Sequence, residues 1–176
     1  MKRRELEIAI RAAAKIAHET EFILIGSQAV HAYCRRPPAE MLLSQECDLY
    51  FKNRPETANL LHTELGRGSD FAQEHGFYVD IVTPEIASLP DGWQRRLKPL
   101  QAGSIKVYCL EIHDLIVSKL AAGRLKDLEF AGAMLRLGLV DPKVVQHRIR
   151  QFPVAQDRPR LRSRLRIVLD ELKHGE

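Results

Sequence analysis

The chain is poor in what would tie it to the cell surface or to a structural metal. It has three cysteines, Cys34, Cys47 and Cys109, at wide spacings and with no C-x-x-C pair. An odd count at such spacings excludes a disulfide framework and a cysteine-based zinc site, and it points to the reducing cytoplasm. No apolar run reaches the roughly 18 residues that a membrane span needs. The N-terminal stretch MKRRELEIAIRAAAKIAHET opens basic, but Glu5, Glu7 and Arg11 interrupt any apolar region, so it does not read as a secretory signal. Aromatic residues make up only 6% of the 176 positions. With 45% hydrophobic residues the chain can still bury a core, which must be largely aliphatic. The seven histidines are scattered, and no H-N-H-like cluster appears. The net charge of +4 and pI of about 9.1 are compatible with a polyanionic partner without requiring one.

What is present is a regular alternation of elements. Residues 4–18 carry Leu6, Ala9, Ile10, Ala13, Ile16 and Ala17 on one helical stripe. Phe22–Ile25 reads as a short buried strand that ends at Gly26-Ser27. QAVHAYC then has helical composition until the prolines of RRPPAE stop it. A strand over Cys47–Phe51, a helix in RPETANLLHTELG stopped at Gly66, a turn at RGSD and a strand in FYVDIV follow. SLPDGWQRRLKPLQAG reads as loop, and SIKVYCLEI as a strand with Ile105, Val107 and Cys109 on one face. From His113 onward the pattern is helical: up to Gly123, up to Gly138, from Asp141-Pro142 as N-cap and first helical residue, and again from Asp157. This order predicts an α/β (α+β) fold, a small mixed β-sheet with flanking helices over 1–110. A C-terminal helical region, 111–176, follows and packs on that core.

Three local features carry chemistry. Gly26-Ser27 joins a strand to a helix, where a helix N-terminus can meet a phosphate; a tight turn with a capping serine is the plainer reading. SQECDLYF places Glu46 and Asp48 on one strand face, their Cα atoms about 6.5–7 Å apart. Like charges so placed repel, and a hard divalent cation would cancel the repulsion; the plainer reading is a solvated edge strand. Asp80 lies between Val79 and Ile81 in a β-rich segment, where a carboxylate must be exposed, paired or metal-bound. If its strand neighbours the Glu46/Asp48 strand, the three acids have the composition of a two-metal phosphoryl-transfer site. Lys119 falls on the apolar stripe formed by Ile112, Leu115, Ile116 and Leu120, either snorkelling to the core edge or pointing into a cleft. Lys126 and Asp127 open the next helix as an exposed first turn or as part of that cleft. The arginines of RPRLRSRLR, from Arg158 to Arg166, scatter around a helix surface and do not form a stripe.

In this order the motifs resemble the polymerase-β-like nucleotidyltransferase superfamily: Gly26-Ser27, Glu46-x-Asp48 and Asp80. HDLIVSKLAAGRLKDLEF looks like the helical motif of its bacterial AbiEii/MenT-like branch, with Asp114, Lys119 and Lys126-Asp127. The resemblance covers roughly residues 20–137. It implies catalytic and metal-binding roles for Glu46, Asp48 and Asp80, with Mg²⁺ or Mn²⁺ as two ions. It further implies nucleotide contacts at Gly26, Ser27, Lys119, Lys126 and Asp127, and an NTP as substrate. The implied acceptor is RNA, in toxin relatives tRNA, and an antitoxin-like protein is the implied partner. Two features depart from the superfamily pattern: Glu46 stands where aspartate is usual, and it follows Ser27 by 19 positions, a longer link than is usual. They leave open a catalytically degenerate nucleotide- or partner-binding protein. A carboxylate nuclease fits less well, because no acid-x-Lys accompanies Asp80 on its strand.

Overall fold

The computed structural model describes residues 1–51, 57–83 and 88–174. The start of the helix expected in RPETANLLHTELG, at 54–56, and the strand stop expected at Pro84 lie outside them. The chain forms helix α1 (Arg3–Ala17), strands β1 (Glu21–Leu24) and β2 (Glu46–Tyr50), and helices α2 (Ala58–Leu65) and α3 (Asp70–His75). Strands β3 (Tyr78–Ile81), β4 (Lys98–Ala102) and β5 (Ile105–Cys109) complete the sheet. Helices α4 (Ile112–Ala122), α5 (Leu125–Arg136), α6 (Pro142–Arg150) and α7 (Arg158–His174) follow.

The five strands are ordered β3-β2-β1-β5-β4. β1 runs antiparallel to β2 and parallel to β5, β2 runs parallel to β3, and β4 runs antiparallel to β5. The sheet is therefore mixed, as the order of elements predicts. α1 presents Leu6, Ala9, Ile10, Ala13 and Ala17 to the core. On β2, Cys47 and Leu49 are fully buried, while Glu46, Asp48 and Tyr50 on the other face are only half-buried. The alternation along SQECDLYF thus sorts two faces as a period of two requires. All three cysteines are free thiols, and burial pushes the Cys47 thiol well up.

Two expectations differ from the structure. LKPLQA is not loop: it is β4, the edge strand of a hairpin with β5. Its composition hides it, because Lys98, Gln101 and Ala102 are weak strand formers and Pro99 cannot donate to a ladder. A proline is tolerated there because, among the described residues, the strand has no neighbour on its outer side. Gly103, at φ 66°, takes the first position of the two-residue turn to Ile105. The segment after Gly26 is also not an α-helix. It is a six-residue 3-10 helix, Ser27–Ala32, mostly buried and ended before the prolines. Such a short turn adds little dipole of its own.

The C-terminal caps follow the sequence closely. Asp141 accepts from Lys143 N–H ahead of Pro142, and Gly123 and Gly138 sit at φ 66°. Two arginines of the tail depart from a solvated role, Arg158, which donates to the Phe152 carbonyl at 2.8 Å, and Arg164. Arg164 of α7 donates to the carbonyls of Leu120 (2.6 Å) and Ala121 (2.9 Å) at the end of α4, with its guanidinium against Gly123. α7 is thereby tied to the helix that carries Lys119.

Candidate active site

β2 places the acids. Asp48 pairs in register with Asp80 on the adjacent parallel strand β3, and Glu46 pairs with Tyr78. In-register residues on neighbouring strands point to the same face, with the strands about 4.8 Å apart. Asp48 and Asp80 therefore stand side by side at the β2/β3 seam. On the other flank of Asp48, β1 ends with Ile25 N–H donating to the Asp48 carbonyl at 3.0 Å. Gly26 follows immediately. A Cβ built on Gly26 would fall 2.9 Å from Asp48 Cβ and 2.5 Å from its Cγ, closer than non-bonded carbons come. The glycine at this turn is required by the Asp48 side chain and not by backbone conformation, since its φ is −81°.

α4 and α5 face these acids. Lys119 Nζ lies 2.9 Å from Asp127 Oδ1 and sits over the Phe130 ring at 5.5 Å. Arg124 Nε lies 2.6 Å from Asp127 Oδ2. Asp127 itself is fully buried. Burial alone would raise its pKa, but hydrogen bonds from Arg124 and Lys119 hold it below the usual carboxylate range. The snorkelling and cleft readings of Lys119 are both partly right: its stem belongs to the apolar stripe, and its ammonium is held at the cleft wall.

Asp48 is treated differently. Burial, then the neighbouring Glu46 and Asp80, push its pKa up to about 6 against the pull of Lys119 and Lys126. Among the described residues no hydrogen bond or ion pair reaches its carboxylate. Glu46 turns instead toward Lys126 Nζ at 3.8 Å and Arg67 Nη2 at 3.9 Å. Arg67 in turn donates to the Tyr78 hydroxyl at 2.8 and 3.2 Å.

These groups border two cavities. A cleft of about 650 Å³ is lined by Ser27, Glu46, Asp48, Arg67, Lys119, Lys126 and Asp127 among others, and reaches α5 and α7. That size falls within the usual range for ligand sites. A smaller space of about 220 Å³ holds Gly26 and more apolar walls. Asp48, Lys119, Arg124 and Asp127 border both and form the partition between them, whereas Asp80 lines neither. The structure therefore gathers Ser27, Glu46, Asp48, Lys119, Lys126 and Asp127 around one cleft, with Gly26 and Asp80 on the two flanks of Asp48.

A family model described as nucleotidyltransferase of unknown function (DUF6036) matches residues 4–166. The chain belongs to that family. No curated protein and no solved structure matches it. Membership in the DUF6036 nucleotidyltransferases suggests nucleotidyl transfer as the general chemistry and a nucleoside triphosphate as its substrate.

The carboxylates suit a hard cation in donor type: they are oxygen ligands, with no thiol or imidazole beside them. Asp48, with no partner of its own, is the best placed. Among the described residues no three His, Cys, Asp or Glu side chains already stand close enough to hold one ion, and Glu46 leans to Lys126 and Arg67. Two residues escaped the sequence reading, Arg67 and Arg124. Arg67 sits in a glycine-rich turn with no periodic signal. Arg124 follows directly on Gly123, and a cation placed next to a helix stop and before an acidic first turn is a signal that could have been read. Asp114, part of the helical motif, is not at the cleft. It is fully buried against Arg96, at 2.8 and 3.0 Å, and Arg148, at 3.2 Å. His31 and His113 are likewise engaged elsewhere, with the Met1 carbonyl and with Glu111 and Asp141 N–H. No helix among the described residues is long and apolar enough to cross a membrane.

Proposed function

We propose that this chain is a divalent-cation-dependent nucleotidyltransferase of the AbiEii/MenT-like type, moving a nucleoside monophosphate from an NTP to an acceptor hydroxyl of RNA, with tRNA the leading acceptor. The observation that carries the reading is the unequal treatment of three aspartates, two of them buried (Asp114, Asp127) and one half-buried (Asp48). Asp114 is matched by two arginines and Asp127 by Lys119 and Arg124, while Asp48, beside Asp80 and against Gly26, is matched by none among the described residues. A fold that neutralises those buried acids and leaves this one raised and open suits a site completed from outside.

Glu46, Asp48 and Asp80 are the residues that would hold Mg²⁺ or Mn²⁺. Bound there, such a cation supplies Lewis-acid charge to the phosphoryl oxygens and to the attacking hydroxyl. Lys119 and Lys126 supply fixed positive charge for the triphosphate, Ser27 a hydroxyl at the cleft floor, and Gly26 the clearance that keeps Asp48 in position. Asp127 holds Lys119 and Arg124 in place and does not meet the nucleotide. In the transfer, the acceptor oxygen bonds to the α-phosphorus and the bond to the bridging oxygen breaks. Pyrophosphate leaves, and the hydroxyl proton passes to Asp80. An antitoxin-like protein that covers the cleft is the partner this reading carries with it.

The test is incubation of the purified chain with each α-labelled NTP and total RNA in Mg²⁺ or Mn²⁺, resolved on a gel. Label in RNA that disappears with Asp48→Asn and with Asp80→Asn supports the reading, and label that survives both changes refutes it. One observation favours a second reading, a nucleotide- or partner-binding protein without turnover: Glu46 is drawn to Lys126 and Arg67 and away from Asp48. Calorimetric binding of NTP with no transfer to RNA or protein would select it.

A further inference from the structure

Two cations from different parts of the chain converge on one oxygen. Lys126 Nζ, from the first turn of α5, lies 3.8 Å from Glu46 Oε1, and Arg67 Nη2, from the turn between α2 and α3, lies 3.9 Å from the same atom. Both distances are too long for hydrogen bonds, so the contacts are loose ion pairs. Both cations are also well exposed, at 58% for the Lys126 side chain and 77% for Arg67. Neither is needed to neutralise a buried charge, since Glu46 reaches solvent at 27%. Arg67 is nonetheless positioned. It donates twice to the Tyr78 hydroxyl and lies over the Tyr78 ring at 5.2 Å, and Tyr78 is the register partner of Glu46 on β3.

We infer that Lys126 and Arg67 are exchangeable counter-cations of Glu46, released to the phosphates of the nucleotide when a divalent cation takes the carboxylate. This rests on the nucleotidyltransferase reading and adds to it Arg67, a second role for Lys126 and a coupling between metal and nucleotide. Two unit positive charges on one carboxylate stand in for the charge of the cation that the site is proposed to take. A bare divalent ion must then displace them without compensation. An incoming triphosphate gives both a better anion, so it frees Glu46 and favours the ion. Nucleotide and metal therefore bind with positive coupling, and each raises affinity for the other by the same factor. The exposure of both pairs limits the effect to roughly fivefold in affinity at most.

The experiment is calorimetry on the full chain with Mn²⁺ alone, then with the α,β-methylene analogues of ATP, GTP, CTP and UTP in Mg²⁺, then with Mn²⁺ after saturation by the analogue that binds. Wild type is compared with Lys126→Gln, Arg67→Gln and Lys126→Arg. Exchange predicts opposite signs: either glutamine variant binds Mn²⁺ alone roughly two- to fivefold more tightly and the analogue more weakly by a similar factor. The Mn²⁺ enhancement by analogue shrinks, and Lys126→Arg restores wild-type behaviour. Because both side chains are exposed, neither variant threatens folding. If wild type binds Mn²⁺ and an analogue but the glutamine variants shift neither, or shift both the same way, the exchange is wrong and the site reading stands. If wild type binds neither probe, both fall.

Discussion

Replacing Gly26 with alanine tests the site through one contact. Gly26 has an ordinary φ of −81°, so the added methyl meets no backbone penalty. It does meet Asp48, at 2.5 Å from Cγ and 2.9 Å from Cβ. Carbon atoms rest about 3.5–4.0 Å apart, so the pair must separate by roughly 1 Å. The backbone of Asp48 cannot recede easily, because β2 is hydrogen-bonded to β1 on one side and to β3 on the other. The carboxylate must therefore swing away, or the turn after β1 must lift. Overpacking of this kind costs about 1–3 kcal/mol. A displacement near 1 Å at a reacting group costs about 100-fold in rate. The assay is a double-mutant cycle in urea melts with Gly26→Ala, Asp48→Gly and the pair, read beside nucleotide transfer. If the clash is with Asp48, the alanine costs little once Asp48 is glycine, and the coupling is about 1–2 kcal/mol. An alanine variant with wild-type stability and wild-type transfer would falsify the close approach as the reason for this glycine. Equal destabilisation in both backgrounds would move the cause to another neighbour.

Other outcomes follow from the same geometry. The folded-state pKa of Asp48, about 6, lies above the ordinary carboxylate value of 3.8. The folded state therefore holds the proton more tightly, and stability falls as pH rises between those values, by about 3 kcal/mol in total. Asp48→Asn removes that fall, so in urea melts at pH 7.5 the variant should exceed wild type and at pH 4 the gap should close, while metal binding and transfer are lost. Asp127→Ala leaves Lys119 in the wall without its partner and should cost about 3 kcal/mol, with a much smaller loss for Lys119→Met, which keeps the packing on Phe130. Gly132, inside α5, has room for a methyl, 3.6 Å from Val168, so Gly132→Ala should stabilise by about 0.5–1 kcal/mol. Gly132→Leu narrows the large cleft it lines, and it should raise the KM for NTP or acceptor while the protein remains folded by circular dichroism.

Much of the fold was legible because it is local. The stripe of α1, the Asp141-Pro142 start and the Gly123 and Gly138 stops are each decided within one or two turns of chain. The two faces of β2 were legible for the same reason. β4 was not, because an edge strand is held by its one neighbour and its own residues, Lys98, Pro99 and Gln101, say little. Sheet order was not legible either. β1 lies beside β5, more than 80 residues away in sequence, and only packing sets that pairing. At the site, residue type identified Asp48 and Asp80, and the in-register pairing of β2 with β3 meets the one condition their convergence required. The partners of each acid could not be read from sequence. Asp114 belongs to a motif by spacing, yet Arg96 and Arg148 reach it through the tertiary fold and remove it from the cleft.

That difference in partners sets Asp48 apart from Asp114 and Asp127. Asp127 and Asp48 border the same two cavities, and both are pressed by burial toward the neutral form. Asp127 is pulled back below the usual range by two cations within hydrogen-bonding distance. Lys119 touches Asp127 and acts on Asp48 only from farther off, so a single lysine is committed to the acid that needs no ligand. The chain also has Lys126 and Arg67 nearby, and it spends them on Glu46, the more exposed neighbour. Lys119, Lys126 and Arg124 thus act on Asp48 from a distance, and among the described residues none is paired with it. For stability alone the arrangement is a poor one, since moving any of the three would relieve a raised carboxylate. It makes sense if the missing positive charge arrives with the substrate, and Asp48→Asn decides the matter: a variant that gains stability at neutral pH and loses metal and nucleotide binding shows that the vacancy is functional, whereas one that gains stability and keeps both would make Asp48 a tolerated fault in the sheet.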